Sequence, residues 1–143
     1  MLSRSLLMRI AILWTVAIVI GSFLPIEVKE AIGTETNSSL PAMRHQAAIR
    51  HRAGHLIAFG VASLLFAAAS IKKAHRLYYF LFIVGLGSTI EYMQHAIFGS
   101  LFEWWDVWDD ALAAAISCLL GSLLASRYLT NKAAVVREMA FNK

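Results

Sequence analysis

Eight polar side chains, set among otherwise apolar stretches, carry most of the chemical capacity of this chain. They fall into three short groups: Arg52 with His55; Glu91 with Gln94 and His95; and Asp106 with Asp109 and Asp110. Glu91 and His95 are four positions apart and so share one helix face, with Gln94 beside them. The three aspartates recur at spacings of three and four, again one face, and His51 and His55 form another such pair. Carboxylates beside imidazoles can move protons near neutral pH or hold a cation. Each group also has a purely structural reading. Aspartates at a helix start cap free N–H groups and complement the helix dipole. Glu91 could simply neutralise Arg52. His55 and His95 could ligate a metal together with Glu91, but no supporting outer shell of residues is visible, so no metal or other cofactor is expected. His45, His51 and His75 read as solvated interface residues. The chain has no Ser-His-Asp order, glycine-rich phosphate loop or cysteine nucleophile.

The elements that position these groups follow from composition. Of 143 residues, 59% are hydrophobic and 15% charged, with a mean hydropathy of +0.63. Soluble domains sit nearer 45–50% apolar and about 25% charged, and a domain of this size has too little interior to bury the excess. The apolar residues are blocked into four runs, about 6–24, 54–71, 77–93 and 107–126. A membrane-crossing helix needs roughly 17–25 residues, and helices satisfy their own backbone in lipid where isolated strands cannot. The expected fold is therefore all-α, a four-helix transmembrane bundle forming one membrane domain over residues 1–143. Residues 26–40 read as a polar, turn-rich connection. Residues 41–53 read as a short basic interfacial helix before the second span, and residues 127–143 as a polar tail.

The basic residues flank the apolar runs. With the N-terminus inside, nine lysines and arginines lie on the inner side and four on the outer. The positive-inside rule then places the N- and C-termini in the cytoplasm. The same distribution accounts for the net charge of +4 without nucleic acid, which is not expected as a partner. Arg4 and Arg9 ahead of the first run imitate a signal peptide, but no small-x-small cleavage pattern precedes Pro25, and the run reads as an uncleaved first helix. The single cysteine, Cys118, says nothing of redox compartment.

In this topology the second helix enters, the third leaves and the fourth re-enters at one membrane face. All three polar groups then share a level. An isolated charge at bilayer depth costs about 2.5–3.5 kcal/mol even on the lenient insertion scale, so the groups are expected to converge in an outer-leaflet polar pocket of Arg52, His55, Glu91, Gln94, Asp106 and Asp110, with His95 and Asp109 at its margin. Ala113, Ser117, Gly121 and Ala125 recur every four positions and offer a surface for close helix–helix association. Trp104, Trp105 and Trp108 read as an interfacial aromatic belt.

Two ordered motifs resemble the VanZ-like family of small bacterial membrane proteins. One is Arg52-Ala53-Gly54-His55-Leu56-Ile57-Ala58-Phe59. The other is Ile90-Glu91-Tyr92-Met93-Gln94 followed by Phe102-Glu103-Trp104-Trp105-Asp106-Val107. The resemblance covers about residues 50–121 and makes His55, Glu91, Gln94 and Asp106 the family-matching positions. Three departures stand out. The link has Phe98-Gly99-Ser100 where the family has Pro-Gly-Arg, so a pocket cation is missing; Asp110 replaces an Asn; and Ala113 replaces a Gly.

The family takes its name from a member associated with resistance to the glycopeptide teicoplanin. The resemblance thus implies action at the cell envelope, in the bacterial cytoplasmic membrane; taken with the convergent outer-leaflet residues, it suggests a pocket that binds a membrane lipid head group or a lipid-linked cell-wall precursor. Two other readings of the residues stay open: an intramembrane enzyme using His55, Glu91 and Asp106 as acid–base or metal-binding groups, and an assembly subunit of a membrane complex.

Overall fold

The computed structural model describes residues 3–31, 41–70 and 72–141. It is all-helical, with α1 (Arg4–Ser22), α2 (Ile26–Ala31), α3 (Pro41–Ala69), α4 (Lys73–Phe98) and α5 (Trp104–Phe141). Four of these are long and pack as a bundle: α3 lies against α5 most extensively, with α1 on one side of α3 and α4 against both α3 and α5. Ser3 caps α1, its side chain accepting from the Leu6 N–H at 3.2 Å. Pro25 lies three residues beyond the end of α1, where the backbone turns. Gly99 ends α4 in the left-handed conformation, φ 66°, a geometry that costs a residue without Cβ little.

Three stretches are long and apolar enough to cross a bilayer: Arg4–Ser22, His45–Ala69 and Trp104–Leu124. Their character is that of a multi-pass membrane protein. The fourth long helix, α4, has 26 residues and is long enough to cross, but Glu91, Gln94 and its tyrosines dilute its apolar content. The burial pattern agrees with an apolar surrounding. Leu13, Ile20, Leu119 and Leu123 are more than half exposed, while the interior holds Ala11, Ala62, Ala67 and Ala114 at 0% exposure. Large apolar side chains outside and small ones between helices are what lipid favours, because packing rather than water exclusion holds such helices together.

Residues 41–53 do not form a separate interfacial helix. They are the first half of α3, which runs unbroken to Ala69. Pro41 takes the first helical position, which its missing N–H tolerates, and a mid-helix glycine such as Gly54 costs only about 1 kcal/mol, too little to break 29 residues. The short helix in the connection is instead α2. Residues 32–40, and the expected end of the second span at Ile71, lie outside the described residues. The polar tail continues α5 as helix to Phe141 rather than leaving it at residue 126.

Three residues of the small-residue stripe, Ala113, Ser117 and Gly121, pack inside the chain. Ala113 and Ser117 face Gly60 of α3, and a Cβ on Gly121 would fall 2.7 Å from that of Ala67. α3 and α5 therefore touch almost backbone to backbone, and the buried Ser63 hydroxyl donates across the contact to the Ala114 carbonyl at 3.1 Å. Around this seam Phe59, Phe66, Ile83 and Ile90 fill the core, Phe66 stacking on Tyr79 at 4.7 Å between centroids. Trp14 of α1 donates to the Ala58 carbonyl of α3 at 2.9 Å and joins α1 to the seam.

Candidate functional site

The seam brings the ionisable residues in the middle of α3 and at the start of α5 face to face at one end of the bundle. His51 and His55 lie one turn apart on α3, and Asp106, Asp109 and Asp110 occupy the first two turns of α5. Three pairings result. His51 Nε2 donates to Asp106 Oδ2 at 2.9 Å, and His55 Nδ1 donates to Asp110 Oδ1 at 3.0 Å. Arg52 grips Asp109 with two bonds, Nε to Oδ2 at 2.6 Å and Nη2 to Oδ1 at 2.8 Å. The other ring nitrogen of His55, Nε2, stands 3.6 Å from Asp106 Oδ2. The two imidazoles thus converge on one carboxylate oxygen.

All three aspartates are buried, Asp106 and Asp110 at 2% and 1% exposure. Carboxylates so removed from water need charged or hydrogen-bonding partners. Tertiary contacts, not local capping, supply them for Asp109 and Asp110. Asp106 also sits in the first turn of α5, where the helix dipole favours negative charge. Yet two oxygens remain without a hydrogen-bond partner, Asp106 Oδ1 and Asp110 Oδ2. The second is packed against α4 at Gly87, where a Cβ would overlap the Asp110 carboxylate. His55 is fixed from its other side by stacking on Phe59, 5.7 Å between centroids and 11° between planes.

Glu91 of α4 is buried at 5% exposure and accepts from the Glu103 backbone N–H at a long 3.4 Å. It lies within Coulombic reach of Asp106 and His55, but it does not pair with Arg52, which is committed to Asp109. Gln94 leaves the cluster altogether: its Nε2 donates to the Ser22 carbonyl at 2.7 Å and closes the C-terminal end of α1. His95 is exposed, and its Nδ1 donates to the Ser100 carbonyl within the α4–α5 link. So Arg52, His55, Glu91, Asp106, Asp109 and Asp110 gather at one site, while Gln94 and His95 do other work nearby.

His51 is where the sequence reading falls short. It is no solvated interface residue but a half-buried partner of Asp106. Its four-residue spacing from His55 was the available signal. Beside it opens a pocket of about 200 Å³ lined by Ala48, His51, Arg52, Glu103, Trp105 and Asp106. The Arg52 guanidinium stands 5.9 Å from the Trp105 ring centroid at the rim, a cation–π distance. Trp104, Trp105 and Trp108 are all about two-thirds exposed around this end, as an interfacial belt requires.

The chain matches no protein-family model, no curated protein and no solved structure.

Proposed function

We propose that this is a small multi-pass protein of the bacterial cell envelope that holds the polar head group of a membrane lipid, or of a lipid-linked cell-wall precursor, at the end of its helix bundle. The observation that carries this reading is the pocket of Ala48, His51, Arg52, Glu103, Trp105 and Asp106. It combines cationic, imidazole and carboxylate groups with a tryptophan rim at the end of an apolar bundle. A lipid whose chains lie along the exposed leucines of α5 would present its head group at that depth. Arg52, with Nε and Nη2 engaged by Asp109, keeps its Nη1 donors for a phosphate oxygen, and Trp105 offers an amphipathic face for the glycerol or sugar portion. The ordered Arg52/His55 and Glu91/Gln94/Asp106 motifs, with their resemblance to the VanZ-like family, support an envelope role. The positive-inside distribution supports a pocket in the outer leaflet.

Lipid carried through purification, identified by mass spectrometry, tests the reading. One lipid class should be enriched over the bulk membrane composition, and the enrichment should fall in an Arg52→Gln, Trp105→Ala variant. Bound lipid that mirrors the bulk membrane in both proteins would sink it.

Catalysis by the same cluster is a second reading, favoured by one contact. His55 is oriented by Asp110 through Nδ1 while its Nε2 faces Asp106, the arrangement of an imidazole held for proton transfer.

A further inference from the structure

We infer that His51, His55 and Asp106 form a binding site for a divalent transition metal of the zinc type. Nε2 of each histidine and a carboxylate oxygen of Asp106 would be the ligands. The site stands on its own ligand geometry and does not depend on the lipid reading.

Three ligand atoms, one from each residue, lie within 4.8 Å of one another. His51 Nε2 and His55 Nε2 stand 2.9 Å and 3.6 Å from Asp106 Oδ2. Tetrahedral zinc, with bonds of about 2.0–2.2 Å, spaces its ligands roughly 3.3 Å apart. The two distances bracket that value. The two histidines sit at i and i+4 on a rigid helix, the aspartate on the helix packed against it, so the set is preorganised rather than assembled by a loop.

Two further observations point to a ligand. Asp106 is 98% removed from solvent, yet its Oδ1 has no hydrogen-bond partner. A metal-bound carboxylate has a use for that oxygen, as a second donor or as acceptor for a bound water. The second is the outer shell. His55 Nδ1 is held by Asp110 at 3.0 Å, which fixes the ring with Nε2 facing the proposed ion. Metal-ligating histidines almost always have such a carboxylate or carbonyl behind them.

Charge agrees as well. Asp106 and Asp110 are two buried carboxylates, with Glu91 of α4 a third nearby, and Arg52 is neutralised by Asp109. A divalent ion balances the two carboxylates with both imidazoles neutral. Each ring would bind the ion through an unprotonated Nε2 and keep its Nδ1–H, a proton held on Nε2 beforehand passing to Nδ1 or, from a doubly protonated ring, to solvent. Three protein ligands leave a fourth position, and two of the three, His51 and Asp106, line the adjoining pocket. This is the pattern of an open site that takes water or a ligand oxygen, not of a closed structural one.

The test is zinc titration of the purified full-length protein after chelator treatment, read by metal analysis and by thermal stability in detergent without added lipid. The expected result is one zinc per chain and a rise in Tm. His51→Ala and His55→Ala should each weaken zinc binding at least about 100-fold, and Asp110→Asn about 10–100-fold. His95→Ala should bind as the parent does. Cobalt in place of zinc should give the visible absorption of a four-coordinate site, lost in His55→Ala. No stoichiometric zinc, or equal affinity in His55→Ala folded as well as the parent, overturns the site. Lipid enrichment is read by a separate measurement, so either proposal can fail alone.

Discussion

The imidazole of His55 bridges two aspartates one helical turn apart on α5, donating through Nδ1 to Asp110 at 3.0 Å while Nε2 faces Asp106 at 3.6 Å. One ring on α3 therefore registers two turns of its partner helix. Axial sliding of α3 on α5 would break both relationships at once.

Removing the ring should cost more than removing one contact. His55→Ala leaves both Asp106 and Asp110 short of a partner in a buried site. Breaking a buried ionic pair from one side costs about 3–5 kcal/mol. Thermal unfolding in detergent should show a large loss. His55→Ala, Asp110→Asn should recover part of it, and a double variant no more stable than the single one would refute the coupling.

Gly87→Ala tests the approach of α4. Its Cβ would overlap the Asp110 carboxylate, so either the helices separate or the carboxylate moves off His55. The expected cost is about 1–3 kcal/mol, the range for overpacking a tight site. Gly85→Ala, at a position with nothing within 4 Å, should be near neutral. Equal stability of the two variants would contradict the packing described.

The α3–α5 seam makes a matching prediction at its other end. Gly121→Val places a branched side chain on Ala67 and should loosen the seam by a similar amount. Ser63→Ala removes one interhelical bond to Ala114 and should cost only about 0.6 kcal/mol, the average for such bonds in membrane bundles. The valine variant should therefore be the more damaged, and the reverse order in denaturant titration would argue against a backbone-close seam.

Zinc affinity should fall as pH is lowered, because protons and the ion compete for the same two Nε2 atoms. The groups facing those rings are Asp106 and Asp110 of α5, Glu91 of α4, Glu103 in the link and Arg52 of α3. Titrations at stepwise lower pH check this, and a pH-independent affinity would mean that the histidines are not the ligands.

Orientation has its own check. Cysteines introduced at Lys73 and Leu101 should differ in accessibility to a membrane-impermeant reagent in intact cells. The α4–α5 link should be labelled and the α3–α4 turn protected. The opposite pattern would place the polar site in the inner leaflet.

The helical class, the four long helices and the gathering of most of the polar groups were legible in the sequence alone. These follow from local physics: apolar runs of bilayer length, and a solvent that penalises lone charge wherever it falls along the chain. The i, i+4 spacings also told which residues share a face. The partners were decided only in three dimensions. Arg52 could as well have met Glu91 as Asp109, and Gln94 closes α1 rather than joining the pocket. His51 passed for a surface residue until α3 proved continuous through Gly54 and carried it onto Asp106. Which side chains meet depends on the rotation and axial register of packed helices. Those are set by contacts between residues some 55 positions apart, such as Gly121 on Ala67 and Ser63 on Ala114, and no local pattern encodes them.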